Sequence, residues 1–444
     1  MSDAVLPPGH QSRSGSGGLT RRSFVQGGAA LGLLTATGLI GRASAQTKTL
    51  PLAGLNLSGL ASNNYVENAR IGTHYRDITE QHIAAAGACP LFRLPTTAQR
   101  FSTGQGGPLN PGYVKQVEDV LNRVAAAGKL AILELHDYMR LPHRVATKSG
   151  YRRDGAGRLV GPDGRLVTDP ADDAIWQDTY RKGAFLYQGY FDGADDLLKL
   201  YEYRVIGTPG CKLYNDAGLP DLWARIVSRF RSHPAIFGWG LMNEPYQGPE
   251  KLADGRDLDM AAHWLKTATN TTARIFSRDT QHYVFICGNQ FASARLWPEL
   301  SDALGDIPDP YGRIVYEAHN YLDNDGTGGG AWKDRNEVVK PETGIWMTEP
   351  FVEWLRQRRK RGYLGEHGYP EGNQSAQEAT RRMLAYLQEN NVPSTQWCFG
   401  PGWPADDVLG MSRDIDAKSI QVKGNMAAVE PFFKARLADY IPPI

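Results

Sequence analysis

Two glutamates stand where a folded chain could set them to work as a pair. Glu244 follows Gly238-Trp239-Gly240-Leu241-Met242-Asn243 and precedes Pro245, and Glu366 closes Tyr363-Leu364-Gly365. Both runs read as short apolar strands, so each carboxyl group is expected at a strand's C-terminal end. Carboxyl groups on two separate strand ends are what glycosidic cleavage needs: one protonates the leaving oxygen, and the other attacks the sugar or activates water. Neither glutamate alone carries that reading. Asn-Glu-Pro occurs by chance, and Glu349-Pro350 in this chain stands ahead of a predicted helix. Further polar residues fall at other strand ends: Arg93 after Leu91-Phe92, then His136-Asp137, Asn289-Gln290 and His319-Asn320-Tyr321, with Trp397 in a last strand.

The elements that must position these residues alternate along the chain. Strands are expected at 54–57, Leu91–Leu94, Leu130–Leu135, Ile236–Met242, Tyr283–Ile286, Ile314–Tyr316, Tyr363–Leu364 and Thr395–Cys398. Helices lie between them. Val114, Val117, Val120, Leu121 and Val124 recur at helical spacing ahead of the third strand, and Gly128 supplies the stop. Met260–Phe276, Phe351–Arg361 and Ala376–Glu389 read as later helices, and Ala427–Leu437 as a closing one. Eight strand–helix units in one run favour a closed (β/α)8 TIM barrel over an open sheet, and active sites of such barrels gather at strand C-termini.

One connection is far longer than the rest. Residues 141–219 form an insertion after strand 3, leaving from the catalytic face. It holds an expected hairpin, Arg158-Leu159-Val160 turning at Gly161-Pro162-Asp163-Gly164 into Arg165-Leu166-Val167. It also concentrates aromatics, including Trp176, Tyr180, Tyr187, Tyr190, Tyr201 and Tyr203, for which a private core and a wall of the substrate cleft are equally good readings.

Composition narrows the class. The 444 residues are 41% hydrophobic and 22% charged, as in a globular protein. Four of the 49 basic residues and one of the 48 acidic ones lie in residues 1–45, leaving 45 against 47. That near-neutral body offers no footprint for nucleic acid or an anionic membrane. Ten Trp and 20 Tyr supply rings suited to stacking on sugars, although most are expected to fill the core. Cys89, Cys211, Cys287 and Cys398 show no CxxC spacing, which argues against zinc or thioredoxin-like chemistry. Residues 1–45 read as a twin-arginine signal peptide: Arg21-Arg22 in Thr20–Gln26, an apolar run Gly27–Ile40, and Ala43-Ser44-Ala45 as a cleavage site. That run would reach only about 21 Å against a hydrocarbon core of about 30 Å. Export to the periplasm or beyond is expected, with 46–444 as a single catalytic domain and no membrane in the mature form.

The residues at these strand ends resemble glycoside hydrolase family 5. Gly238–Pro245 and Tyr363–Glu366 look like the family's strand-four and strand-seven signatures, and Arg93, His136, Asn243, His319, Tyr321 and Trp397 match its other recurrent positions in order. The resemblance implies Glu244 as acid/base, Glu366 as nucleophile and the other six as substrate-binding or supporting residues. Tyr316–Gly326 and Gly400-Pro401-Gly402-Trp403 further resemble the microbial endo-β-1,4-glucanase branch, implying a retaining, endo-acting enzyme of β-linked glucan. The insertion departs from that pattern and leaves β-mannan, another β-glucan or an exopolysaccharide open as substrate.

Chemistry then assigns expectations. Glu244 must hold a proton near neutrality, and Glu366 must be ionised with Tyr321 and Arg93 as its donors. Asn243 is expected at the sugar 2-hydroxyl, His136 and His319 at sugar hydroxyls or Glu244, and Trp397 as a stacking floor. Trp223 and Trp264 are expected in the core. Glu134 shares a strand face with His136 and should meet Arg93. A metal hydrolase using His136, Asp137, His319 and Glu366 lacks the His-x-His pair usual for barrel metals, so no metal and no cofactor is expected. A non-catalytic sugar-binding barrel would be expected to lose a carboxylate. The expected partner is a β-linked polysaccharide or oligosaccharide, acted on by a monomer.

Overall fold

A computed structural model describes residues 49–444, except 65, 67–68, 157, 167–184, 191–197, 253, 324–331, 417 and 444. Eight parallel strands close into a barrel: β1 (Ala53–Leu57), β2 (Leu91–Thr96), β3 (Leu130–Leu135), β4 (Ile236–Gly240), β5 (Tyr283–Cys287), β6 (Ile314–His319), β7 (Arg361–Glu366) and β8 (Ser394–Phe399). All eight stand where the sequence placed them, and β8 pairs with β1 to close the ring. The signal-peptide reading of residues 1–45 lies outside the described residues.

Side-chain alternation divides the barrel's inside from its outside. In β3, Ala131, Leu133 and Leu135 join the large core under the helices, whereas Ile132 joins Leu91, Phe237, Tyr283, Phe285, Val315 and Tyr363 in a separate cluster inside the ring. Tyr440 belongs to that inner cluster, and its hydroxyl donates to the Pro51 carbonyl at 2.7 Å. Continuing up the same inward face, Ile132 is followed by Glu134 and Val315 by Glu317. The barrel therefore changes from apolar to charged along its axis, toward the strand C-termini.

The helices form an outer shell for reasons visible in their sequences. Helix α1 (Pro111–Ala126) opens with Pro at N1 and an Asn110 side chain that accepts from the Gly112 amide at 3.0 Å, and it buries Val114, Val117, Val120, Leu121 and Val124. Helix α2 (Gly218–Phe230) buries Trp223 and α3 (Met260–Phe276) buries Trp264, both in the core as expected.

Two expected helices are corrected. Helix α4 spans Thr343–Arg358, so Glu349-Pro350 lies within it rather than ahead of it. Its buried face, Met347, Phe351, Val352, Trp354 and Leu355, outweighs the missing amide at Pro350. Arg359 ends the helix in the left-handed conformation (φ +52°), which frees Arg361 to begin β7. Helix α5 (Gln374–Glu389) agrees with its expected span. The closing helix at Ala427–Leu437 does not form. Short 3₁₀ turns occupy Gly424–Met426 and Glu430–Lys434, and Arg436–Leu437 pairs with Leu50–Pro51. Pro431 interrupts the run, while Val429 and Phe433 still bury their side chains.

The insertion is built on an antiparallel sheet. Arg140–Lys148 pairs with Leu198–Val205, which pairs in turn with Phe185–Tyr190. The expected hairpin is present in outline: Leu159–Val160 pairs with Arg152–Arg153, Val160 bridges Leu166, and the Gly161 amide donates to the Arg165 carbonyl at 2.8 Å. Trp176 and Tyr180 lie outside the described residues, and only the backbone of Tyr187 and Tyr190 is described. The four cysteines are buried free thiols. No helix among the described residues is long and apolar enough to cross a membrane.

Candidate active site

Arg93 reaches up from β2 into the middle of the charged layer, fully buried. Its Nη2 meets Glu134 at 2.9 Å, its Nε meets Glu317 at 2.8 Å and its Nη1 meets Glu366 at 2.9 Å. The same guanidinium donates to Asn56 Oδ1 at 2.9 Å and to Asn243 Oδ1 at 2.7 Å. A planar fork with five donors can serve so many acceptors at once; an ammonium cannot. Glycines in the two signature runs make room for the cluster. A Cβ on Gly240 would stand 2.7 Å from the Glu134 Cβ, and one on Gly365 would stand 2.0 Å from Glu317 Oε1.

Glu366 ends β7 with both oxygens held. Tyr321 donates its hydroxyl to Oε2 at 2.8 Å, and Arg93 donates to Oε1 at 2.9 Å. Burial works against its charge, but the His319, Arg93 and His136 charges and the Tyr321 hydroxyl outweigh it and hold the carboxyl below its ordinary value. Tyr321 and Arg93 are the two donors the sequence reading named.

Glu244 sits just past β4 with φ +42°, a left-handed conformation that is strained for a side chain of this length. Its amide donates to Cys287 Sγ at 3.3 Å, and its Oε1 lies 2.6 Å from His319 Nδ1. Burial raises its pKa, the nearby Glu366 charge adds to the rise, and the His319 contact only partly opposes it. The two carboxyl groups are therefore shifted in opposite directions, Glu244 toward the acid and Glu366 toward the anion. Ligand atoms of Glu244, His319 and Glu366 all lie within 4.8 Å of one another.

The histidines share a pattern. His136 Nδ1 lies 2.7 Å from Glu134, and His319 Nε2 lies 3.2 Å from Glu317, each carboxylate two residues earlier on the same inward face. Burial disfavours both imidazolium ions, yet the surrounding carboxylates raise both histidines above their ordinary value. The expectation that a histidine orients Glu244 holds for His319. His136 instead sits 3.3 Å from Asn243 Nδ2 and 3.2 Å from the Tyr138 hydroxyl, and it stacks on Trp397 at 5.2 Å and 14°. Asn243 gives its oxygen to Arg93, so Nδ2 is the atom left for a sugar hydroxyl. Trp397 is half-buried, its ring stacked on His136 and edge-on to Trp403 at 6.1 Å.

The structure thus gathers all eight residues named from sequence: Glu244, Glu366, Arg93, His136, Asn243, His319, Tyr321 and Trp397. Asp137 turns away, its Oδ2 accepting the Ala98 amide at 2.6 Å. Groups close enough to share an ion among the described residues are Cys287–Glu317–His319 and Glu244–His319–Glu366, neither of which includes His136 or Asp137. Glu317, Asn56, Cys287 and Tyr138 were missed. Glu317 carried a readable signal, because it precedes His319 by two residues as Glu134 precedes His136.

The comparisons agree with this geometry. Residues 45–402 match the sequence model of the family described as Cellulase (glycosyl hydrolase family 5). Endo-beta-1,4-glucanase B of Emericella nidulans is 23% identical over 345 residues, which cover 77% of this chain and 78% of that protein. Among solved structures, the Pseudomonas stutzeri endoglucanase Cel5A in complex with cellobiose superposes with a TM-score of 0.65 at 24% identity, covering 88% of this chain and 95% of that one. XacCel5A in complex with cellopentaose superposes at 0.63 with 22% identity, covering 86% and 99%.

Proposed function

The chain belongs to glycosyl hydrolase family 5, and on that premise we propose that it is a retaining, endo-acting β-glycanase that hydrolyses β-1,4-linked glucan by double displacement. The observation that carries this reading is the pair of carboxyl groups shifted in opposite directions, Glu244 toward the acid and Glu366 toward the anion, with their nearest oxygens within 4.8 Å. Retaining pairs stand about 5–5.5 Å apart, whereas inverting pairs leave about 6.5–9.5 Å for a water between them. Glu366 attacks the anomeric carbon while Glu244 gives its proton to the leaving oxygen. Glu244, now a carboxylate, takes a proton from water as that water displaces Glu366 from the sugar. Asn243 meets the sugar 2-hydroxyl, and Trp397 carries the ring at the cleavage point. The β-1,4-glucan assignment draws on the named activity of the Emericella relative and on the cello-oligosaccharides held by the two solved neighbours. The twin-arginine pattern at Arg21-Arg22 supports export of residues 46–444 to the periplasm or beyond.

The test is a product analysis on cellulose, mixed-linkage glucan, mannan and exopolysaccharides, with proton NMR of the first product. Release of β-anomer from a β-1,4-glucan is expected. Glu366→Gln should abolish turnover with folding intact, and Glu244→Ala should recover on an activated aryl glycoside with azide. An α-anomer formed first, or full activity of the folded Glu366→Gln protein, overturns the mechanism; cleavage of mannan alone overturns the substrate.

A further inference from the structure

The root of the insertion lines a cavity of about 350 Å³ beside the catalytic cluster. Its walls come from five parts of the chain: Asn64 past β1, Asp137 and Tyr138 past β3, Arg140 and Tyr203 on the insertion's sheet, Tyr246 two residues past Glu244, and Phe291 past β5. One wall is built in layers. The Tyr246 and Phe291 rings stack at 4.6 Å and 15°, and the Arg140 guanidinium lies 3.8 Å from the centre of the Tyr246 ring. Two groups that close to one ring must take its opposite faces, so Tyr246 is held between Arg140 and Phe291. Arg140 is fixed in turn: it pairs with both oxygens of Glu250 at 2.6 and 3.1 Å and donates to the Tyr138 and Tyr246 carbonyls at 3.0 Å each. Phe291, at the outer end of the stack, is 43% exposed. A rigid aromatic ring backed in this way suits the apolar face of a sugar ring at small entropic cost.

The cavity's place relative to the acid says which sugar it would hold. The hydroxyl of Tyr138, one of its lining residues, is 3.2 Å from His136 Nε2, which sets the cavity next to the cluster. Glu244 must reach the leaving oxygen, and the stacked wall of the cavity, Tyr246 and Phe291, comes after β4 and β5, the strand that Glu244 follows and its neighbour. Trp397, on β8, belongs to the other side. We propose that Tyr203, delivered by the insertion, closes this cavity into a clamp for the first sugar of the leaving chain and so sets the enzyme's demand for a sugar, rather than any good leaving group, at that position. This rests on the retaining β-glycanase reading. It gives the insertion a function in specificity: Tyr201 and Tyr203 share one face of the same strand, Tyr201 is buried, and Tyr203 lines the cavity.

Two substrates separate the outcomes. Cellotetraose places sugars on the leaving side, whereas an aryl β-cellobioside places only the aryl group there. Tyr203→Ala and Phe291→Ala should each lower kcat/KM on cellotetraose by about tenfold or more and change that on the aryl cellobioside by less than about twofold. Tyr203→Phe should retain most of the cellotetraose activity. Phe291 is exposed enough that its truncation keeps the test alive if Tyr203→Ala folds poorly. Equal losses on both substrates, or no loss on either, overturn the clamp while leaving the glycanase reading intact. A wild-type chain that cleaves neither substrate overturns the glycanase reading, and the assigned occupant of the cavity with it.

Discussion

Arg93 Nε and Glu317 Oε1 meet at 2.8 Å with both side chains sealed from solvent. The contact explains more than itself, because Glu134 and Glu366 claim the same guanidinium. Three carboxylates against one cation leave a deficit that burial makes expensive. His136 and His319 make it up, each drawn toward its charged form by these carboxylates. With both imidazolium ions counted, the cluster is neutral as long as Glu244 keeps its proton. The rise in the Glu244 pKa comes from burial and the Glu366 charge, while Glu134 and Glu317 act one step back, on Arg93 and the two histidines.

Replacing Arg93 with Lys should show how much of that arrangement depends on a fork. A single ammonium cannot reach Glu134, Glu317 and Glu366 together, so buried carboxylates would lose their partner at a cost of about 3–5 kcal/mol. Thermal melts of Arg93→Lys should fall accordingly, and kcat/KM should drop by about a hundredfold or more because Glu366 is no longer held. Activity within about threefold of wild type would show that Arg93 is incidental.

The pH profile follows from the opposed shifts. Glu366 must be ionised to attack, and its pKa is held below the ordinary 4.5, so the acid limb of kcat/KM should lie below that value. Glu244 must be protonated, and its pKa is raised above 4.5, so activity should persist above that value and fall as Glu244 loses its proton. On an activated aryl glycoside that needs no acid, Glu244→Gln should erase the alkaline limb and leave the acid limb in place. An alkaline limb that survives in Glu244→Gln would assign it to another group.

Much of this was legible in the chain. Strand positions could be read because short apolar runs bounded by helical periodicity leave few alternatives; strand ends then gave the candidates, and the family resemblance picked the eight site residues from them. Glu134 was read as Arg93's partner from two-residue periodicity, and the same rule applied to Glu317 would have found it. Cys287 could not be read this way: its sulfur accepts the Glu244 amide, and Glu244 holds a positive φ that the sequence does not announce. The insertion's sheet was hidden for a related reason, since Arg140–Lys148 pairs with Leu198–Val205, far along the chain, and no local turn announces it. The false closing helix shows the opposite failure, in which helical spacing at Ala427–Leu437 was overridden by Pro431 and by strand pairing with Leu50–Pro51.

Asp137 offers a test of the layer's electrostatics through stability. Its carboxyl group is buried, with Oδ2 accepting the Ala98 amide. Burial, aided by the Glu134 charge, pushes its pKa up to about 7 against the ordinary 3.8, outweighing the Ala98 and Gln99 amides and His136. The folded protein therefore holds this proton more firmly than the unfolded chain does. Between these two pKa values the folded state binds more protons, so stability falls as pH rises, and above about 7 the full cost of burying the charge is present. An asparagine side chain at this position would keep an oxygen for the Ala98 amide and would never need to be charged. Asp137→Asn should thus stabilise the protein at pH 8 by roughly 1–3 kcal/mol, and the gain should shrink steadily toward pH 5, where Asp137 is already protonated in the folded state. Denaturant melts of both proteins at pH 5, 6.5 and 8 measure the difference directly. A gain that is the same at all three values would mean that folding leaves the Asp137 pKa unshifted, and a loss that grows with pH would mean that its carboxylate is stabilised in the fold.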